Sequence, residues 1–157
     1  MIERQASGAV RGHGEPIGLA VTYLHGDAYD IEIRGHHLTV DQPVGAGGAD
    51  LGPTPTELFA ASLAGCVGFY AGRFLGRHGL AAEGLRVRCE ATMSSGRPAR
   101  VETILLWLEG LPVLDARQRA AMLAVVERCS VHNSIRQPPK VQIELDVQPA
   151  GHAPVSR

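Results

Sequence analysis

The run from Pro53 to Cys66 leaves the chain little local choice, because it must start a helix and then bury it. Thr54 offers a hydroxyl as cap, Pro55 fits a first turn that needs no amide, and Glu57 stands three residues after the cap, completing a capping box. Phe59, Leu63, Cys66, Tyr70 and Phe74 then recur at helical spacing. That spacing predicts an apolar stripe on a helix reaching about Leu80, with the Cys66 thiol turned inward. A thiol so placed is, on the helix alone, a small hydrophobe.

The rest of the chain reads as elements that cover this helix. Ile17, Leu19, Val21 and Tyr23 alternate with small or polar residues, as do Ile31 and Ile33 in Tyr29 to Arg34, and a third short strand runs from His37 to Val40. Gln42 to Pro55 is rich in glycine and proline and must be a sharply bent loop. Beyond the helix, Leu85, Val87, Cys89 and Ala91 alternate in a strand with one wet face, where Cys89 is packing. Val101 to Leu108 is apolar on both faces and is predicted to be a central strand. Asp115 and Gln118 mark a second capped helix whose stripe of Met122, Val125 and Val126 ends on Cys129. Ser130 to Ser134 is read as a break, and Val141, Ile143, Leu145 and Val147 as a last strand. The sum is a single α+β domain over 1–157, antiparallel sheets with two main helices, with 1–15 a mobile arm and 149–157 a frayed tail.

Charge excludes some functions. Fifteen basic and sixteen acidic side chains nearly cancel, which gives no reason to expect nucleic acid or an anionic membrane as partner. Met1 to Glu15 lacks the apolar centre of a signal peptide, and no apolar run is expected to approach the roughly 20 residues of a membrane span, so a cytoplasmic protein is expected. Three cysteines are too few for a secreted disulfide scaffold. No cofactor is called for. A zinc site from Cys129, His132, His36 and His37 has only one ligand knuckle, and a cysteine hydrolase would want its nucleophile at a helix start rather than mid-helix.

Gly52-Pro53-Thr54-Pro55-Thr56-Glu57-Leu58, then Ala60-Ala61-Ser62-Leu63-Ala64-Gly65-Cys66, then Cys129-Ser130-Val131-His132-Asn133 together resemble the OsmC/Ohr superfamily, from about Leu38 to Val147. The resemblance implies an OsmC-like fold with the first helix central and buried, and an intertwined homodimer with sites at the subunit interface. It implies a thiol-dependent peroxidase acting on organic hydroperoxides, alkyl or fatty-acyl, with Cys66 peroxidatic and Cys129 resolving, and a dithiol reductant such as a lipoyl protein.

Two positions depart from the hydroperoxide-resistance branch. Thr56 stands where that branch has its carboxylate, so Glu57 is open to two readings, cap or site residue. The turn between the first two strands holds His25 and Asp27 where the branch has an arginine. The chemistry still needs a cation to hold a thiolate that burial disfavours. Arg34 is the first candidate, Arg73 the second and His132 the third. Phe59, Leu63, Phe69 and Tyr70 are candidates for the apolar wall of a substrate site. The alternative is a non-catalytic OsmC-like protein that binds a small apolar ligand at the dimer groove.

Overall fold

In the computed structural model, residues 16–146 are described. The predicted arm at 1–15, the tail at 149–157 and Val147 lie outside them. Strands β1 (Ala20–His25), β2 (Ala28–Ile33) and β3 (His36–Val40) form an antiparallel meander. Helix α1 (Pro55–Arg77) follows, then the hairpin β4 (Arg86–Met93) and β5 (Val101–Glu109), and helices α2 (Ala116–Val126) and α3 (Ser130–Arg136). This is the α+β architecture with antiparallel sheets that the sequence predicts.

Both capping boxes form. The Glu57 amide donates to Thr54 Oγ1 at 3.1 Å while Glu57 Oε2 accepts from the Thr54 amide at 2.7 Å. Asp115 and Gln118 do the same for α2. The buried stripe of α1 is rotated from the predicted one: Ala60, Leu63, Val67, Ala71, Phe74 and Leu75 are inside, whereas Phe59 is exposed and Cys66 half-buried. Leu114, Met122, Val126 and Cys129 complete the core, with Val87, Ile104, Leu106 and Leu108 of the hairpin packed on it. Contrary to the expectation that no apolar run reaches such a length, α1, at 23 residues, is long and apolar enough to cross a membrane; its inner stripe packs on its own chain.

Three expectations fail. First, residues 141–146 form no strand, and Val141, Ile143 and Leu145 are 75%, 86% and 86% exposed. Alternation marks a segment fit to pair, but no neighbouring strand among the described residues takes it up. Second, β5 is not central: it pairs with β4 alone, and Leu105 stays exposed. Third, Ser130 to Ser134 does not merely end the second helix. Helix α2 stops at Val126, and Cys129 is the cap of a new helix, α3.

The β1–β3 sheet contributes no residue to the cluster around α1, and its buried Ala28 and Val40 lie outside that cluster. Val21, Ile31 and Leu38 stand opposite one another across it, as do Tyr23, Tyr29 and Val40, so they share one face. That face is largely bare, with Val21 55% and Tyr23 59% exposed.

The sheet joins α1 through a loop fastened by Asp41, which is only 1% exposed. Its carboxylate accepts from the amides of Gln42 at 2.7 Å, Ala49 at 3.0 Å and Leu51 at 3.1 Å. The loop is drawn so tight that a Cβ on Gly48 would sit 2.1 Å from the Gln42 carbonyl oxygen, and one on Gly52 2.1 Å from that of Thr39. Only glycine fits either place.

Candidate active site

Helix α1 presents Cys66 on the side that faces α3, and the α2–α3 junction presents Cys129. The two thiols lie near enough for Cys66 to bear on the ionisation of Cys129. Cys129 is wholly buried, and its Sγ accepts from the His132 amide at 3.3 Å. Burial pushes the Cys129 thiol above its ordinary value of 9.0, and the Cys66 thiol adds to the rise, while the amides of His132 and Val131 pull the other way. The net direction is up, so Cys129 keeps its proton at neutral pH and can donate it toward Cys66. The sequence reading put Cys129 against the carbonyl end of a helix. The structure puts it against amides, and burial, not carbonyls, is what keeps it a thiol.

Beside the thiols, a cleft of about 520 Å³ separates α1 from α3, lined by Phe59, Ser62, Ser130, Val131, Ser134, Ile135, Pro138 and Pro139. The four residues expected to form one apolar wall do not stay together. Phe59 lines this cleft, one to two turns before Cys66. Leu63 points into the core, toward a smaller cavity of about 250 Å³ shared with Ile104, Leu106, Leu123, Val126 and His132. Phe69 is exposed and meets Tyr70 edge to face at 5.5 Å, farther along the helix. Ile135 and the prolines of the cleft were not expected at a site because they follow the stretch read as a break; the apolar Val131 and Ile135 at a spacing of four were the available signal.

The candidate cations are scattered. Arg34 occupies the two-residue turn between β2 and β3, on the sheet that adds nothing to the cluster around α1, and among the described residues no partner in its own chain holds it. Its φ of 53°, followed by 79° at Gly35, is a conformation that a non-glycine residue adopts at a cost of roughly 1–3 kcal/mol. Arg73 stacks over Phe69, 5.4 Å from the ring centre. His132 serves Cys129 through its backbone amide.

Glu57 is a cap. Its carboxylate is held below the ordinary range by the Thr54 amide and then by the Thr54 hydroxyl, which donates at 3.0 Å. It lines a separate cleft of about 560 Å³ with Thr54, Thr56, Ala60, Ala61, Cys89, Ala91 and Met93. Cys89 sits there as a half-buried thiol 4.0 Å from the Ala60 carbonyl oxygen, on the β4 face of α1. Among the described residues no three histidine, cysteine or acidic side chains gather as a metal site.

A long capped helix and a short one bring two thiols near each other in an α+β fold with antiparallel sheets. A family model for OsmC-like proteins matches residues 47–144, and the chain belongs to the OsmC-like family. Solved structures agree on the fold. A Psychrobacter arcticus protein provisionally named for osmotic stress induction and a detoxification response superposes with a TM-score of 0.66 at 22% identity, covering 80% of this chain and 91% of its own. An organic hydroperoxide resistance protein from Legionella pneumophila gives 0.52 at 20% identity, covering 76% and 89%. A Vibrio cholerae protein provisionally named for organic hydroperoxide resistance, with captopril in one of its active sites, gives 0.61 at 16% identity, covering 82% and 90%. No curated protein matches the sequence.

Proposed function

We propose that this protein is a thiol-dependent peroxidase that reduces organic hydroperoxides. The proximity of the Cys66 and Cys129 thiols, close enough to act on each other's ionisation, supports the reading. The Cys66 thiolate attacks the O–O bond, the alkoxide leaves and takes up a proton as alcohol, and Cys66 becomes a sulfenic acid. Cys129 then attacks that sulfur, expels water and closes a disulfide, which an external dithiol reopens. Half-burial of Cys66 beside a largely apolar cleft suits a peroxide with an alkyl tail. Resistance to organic hydroperoxides in the names of two structural neighbours supports the same substrate class.

The functional unit is a homodimer in this reading. The bare apolar face of the β1–β3 sheet and the exposed Phe59 and Phe69 of α1 are surfaces that one copy leaves open and a second copy covers. The activating cation then comes from the partner's sheet, with Arg34 as the candidate. A rival reading, an inert ligand-binding member of the family, draws on the lack of any cation contacting Cys66 among the described residues.

Turnover of cumene hydroperoxide with a dithiol reductant separates the two. Cys66→Ser abolishes consumption, Cys129→Ser allows one turnover and leaves a dimedone-reactive sulfenic acid, and Cys89→Ser matches the parent. An active Cys66→Ser protein ends the peroxidase reading.

A further inference from the structure

Cys129 does two things that one sulfur cannot do at once. As a thiol it caps α3, in extended backbone at φ −66°, ψ 150°, with Sγ accepting from the His132 amide and drawing on that of Val131. As the resolving thiol it must turn its lone pairs and its valence toward Cys66. We propose that closing the Cys66–Cys129 disulfide uncaps α3, so that α3 and the segment behind it act as a redox-operated lid over the thiol site.

The helix is built to depend on that cap. It has seven residues, none of them buried, and a helix this short has little stability of its own. It does not lie flush on α1, because the 520 Å³ cleft runs beneath Ser130, Val131, Ser134 and Ile135. Besides the cap, its start is held by the Asn133 amide to the Cys129 carbonyl at 2.9 Å, the Asn133 side chain to the Arg128 carbonyl at 3.1 Å and the Ser134 hydroxyl to the Ser130 carbonyl at 2.9 Å. At its far end Pro138 and Pro139 stop the helix, and residues 140–146 continue with no strand partner among the described residues. A lid is needed on chemical grounds too. The Cys129 sulfur has no exposure at all, so a dithiol reductant cannot reach it until something moves. Loss of the cap supplies the motion when there is a disulfide to reduce, and its recovery shuts the site once both thiols are regenerated.

This inference rests on the thiol pair proposed above, and its test is arranged to outlive a failure of the peroxidase reading. Hydrogen exchange of the full-length protein is followed by mass spectrometry in three states: reduced, treated with cumene hydroperoxide, and treated with diamide. Diamide is an azo oxidant that takes two electrons and two protons from a dithiol whatever its peroxidase activity. Closure of the bond is verified by the loss of two hydrogens in mass. Amides of 130–137 should exchange about fivefold faster in the disulfide form, the worth of one helix cap. Cys129→Ser, whose hydroxyl caps as well as a thiol, should stay protected with either oxidant, because the Cys66 sulfenic acid left by the peroxide forms no bond to residue 129. Cys129→Ala should exchange fast with no oxidant present. Equal exchange in the reduced and disulfide forms overturns the lid, as does an alanine variant as protected as the reduced parent, or a bond that neither oxidant closes. If diamide closes the bond and the peroxide does not, the peroxidase reading fails while the diamide sample still decides the lid.

Discussion

Strands β2 and β4 follow the same plan, apolar residues on one face and charged ones on the other, yet they end in opposite surroundings. In the β4–β5 hairpin, Val87, Cys89 and Ala91 stand opposite Leu108, Leu106 and Ile104, and this face lies against α1 so closely that Val87 Cγ2 would be 3.3 Å from a Cβ on Gly68. In the β1–β3 sheet, Val21, Tyr23, Tyr29 and Leu38 make an equally apolar face that its own chain leaves uncovered. Alternation says that a face wants cover. It does not say whose surface supplies it, and here one sheet is covered within the described chain while the other stays exposed, which is the face the proposed second copy would take.

The largest effect belongs to the covered half. Leu75 is fully buried where α1 meets the core, and Leu75→Ala should cost about 2–5 kcal/mol, read by denaturant unfolding against the parent at equal protein concentration. A small loss there would mean that the core is not what holds α1.

Next comes the bare half. Tyr23→Asp should cost the assembly about 1.5–3 kcal/mol, the worth of burying one large apolar side chain, and should shift sedimentation toward a monomer while the helices persist by circular dichroism. A parent chain that sediments as a monomer at micromolar concentration, or a Tyr23→Asp dimer as stable as the parent, breaks the comparison.

The junction between the halves should answer to acid. Cover from solvent works against ionisation of Asp41, but the amides of Leu51, Gln42 and Ala49, aided by His25, together hold its carboxyl below the ordinary 3.8. A depressed folded value means that the contribution is complete above the ordinary value and disappears as pH falls through the folded one. Asp41→Asn should therefore be less stable than the parent at neutral pH, with the difference closing at strongly acid pH. A gap that stays constant with pH would assign the effect to shape alone. The smallest change is at the start of α1, where Thr54→Ala should cost about 1 kcal/mol by loss of the cap, and Glu57→Gln, which keeps the capping box, much less.

Much of the molecule was legible because its signals are local. A cap depends on four consecutive residues, so Thr54 with Glu57 and Asp115 with Gln118 announce their helices unaided. Strand alternation is equally local, and it located β1–β5. The cysteine pair was legible through its neighbours in sequence, since the motif around each thiol is short. Other features depend on what lies across space. The true buried stripe of α1 is one position away from the predicted one because the hairpin and α2, distant in sequence, decide which side of an apolar helix is inside. Val141, Ile143 and Leu145 have the pattern of a strand but no strand in the described chain, because pairing needs an edge the pattern cannot name. Asp41 gave no sign in the sequence of closing a loop, as its amide donors are distributed over Gln42, Ala49 and Leu51. Most telling is Cys129, which a run of helical periodicity assigned to the end of one helix and tertiary packing made the start of another. The sequence could place that sulfur at a helix boundary, but only the fold determined that amides, rather than carbonyls, would face it.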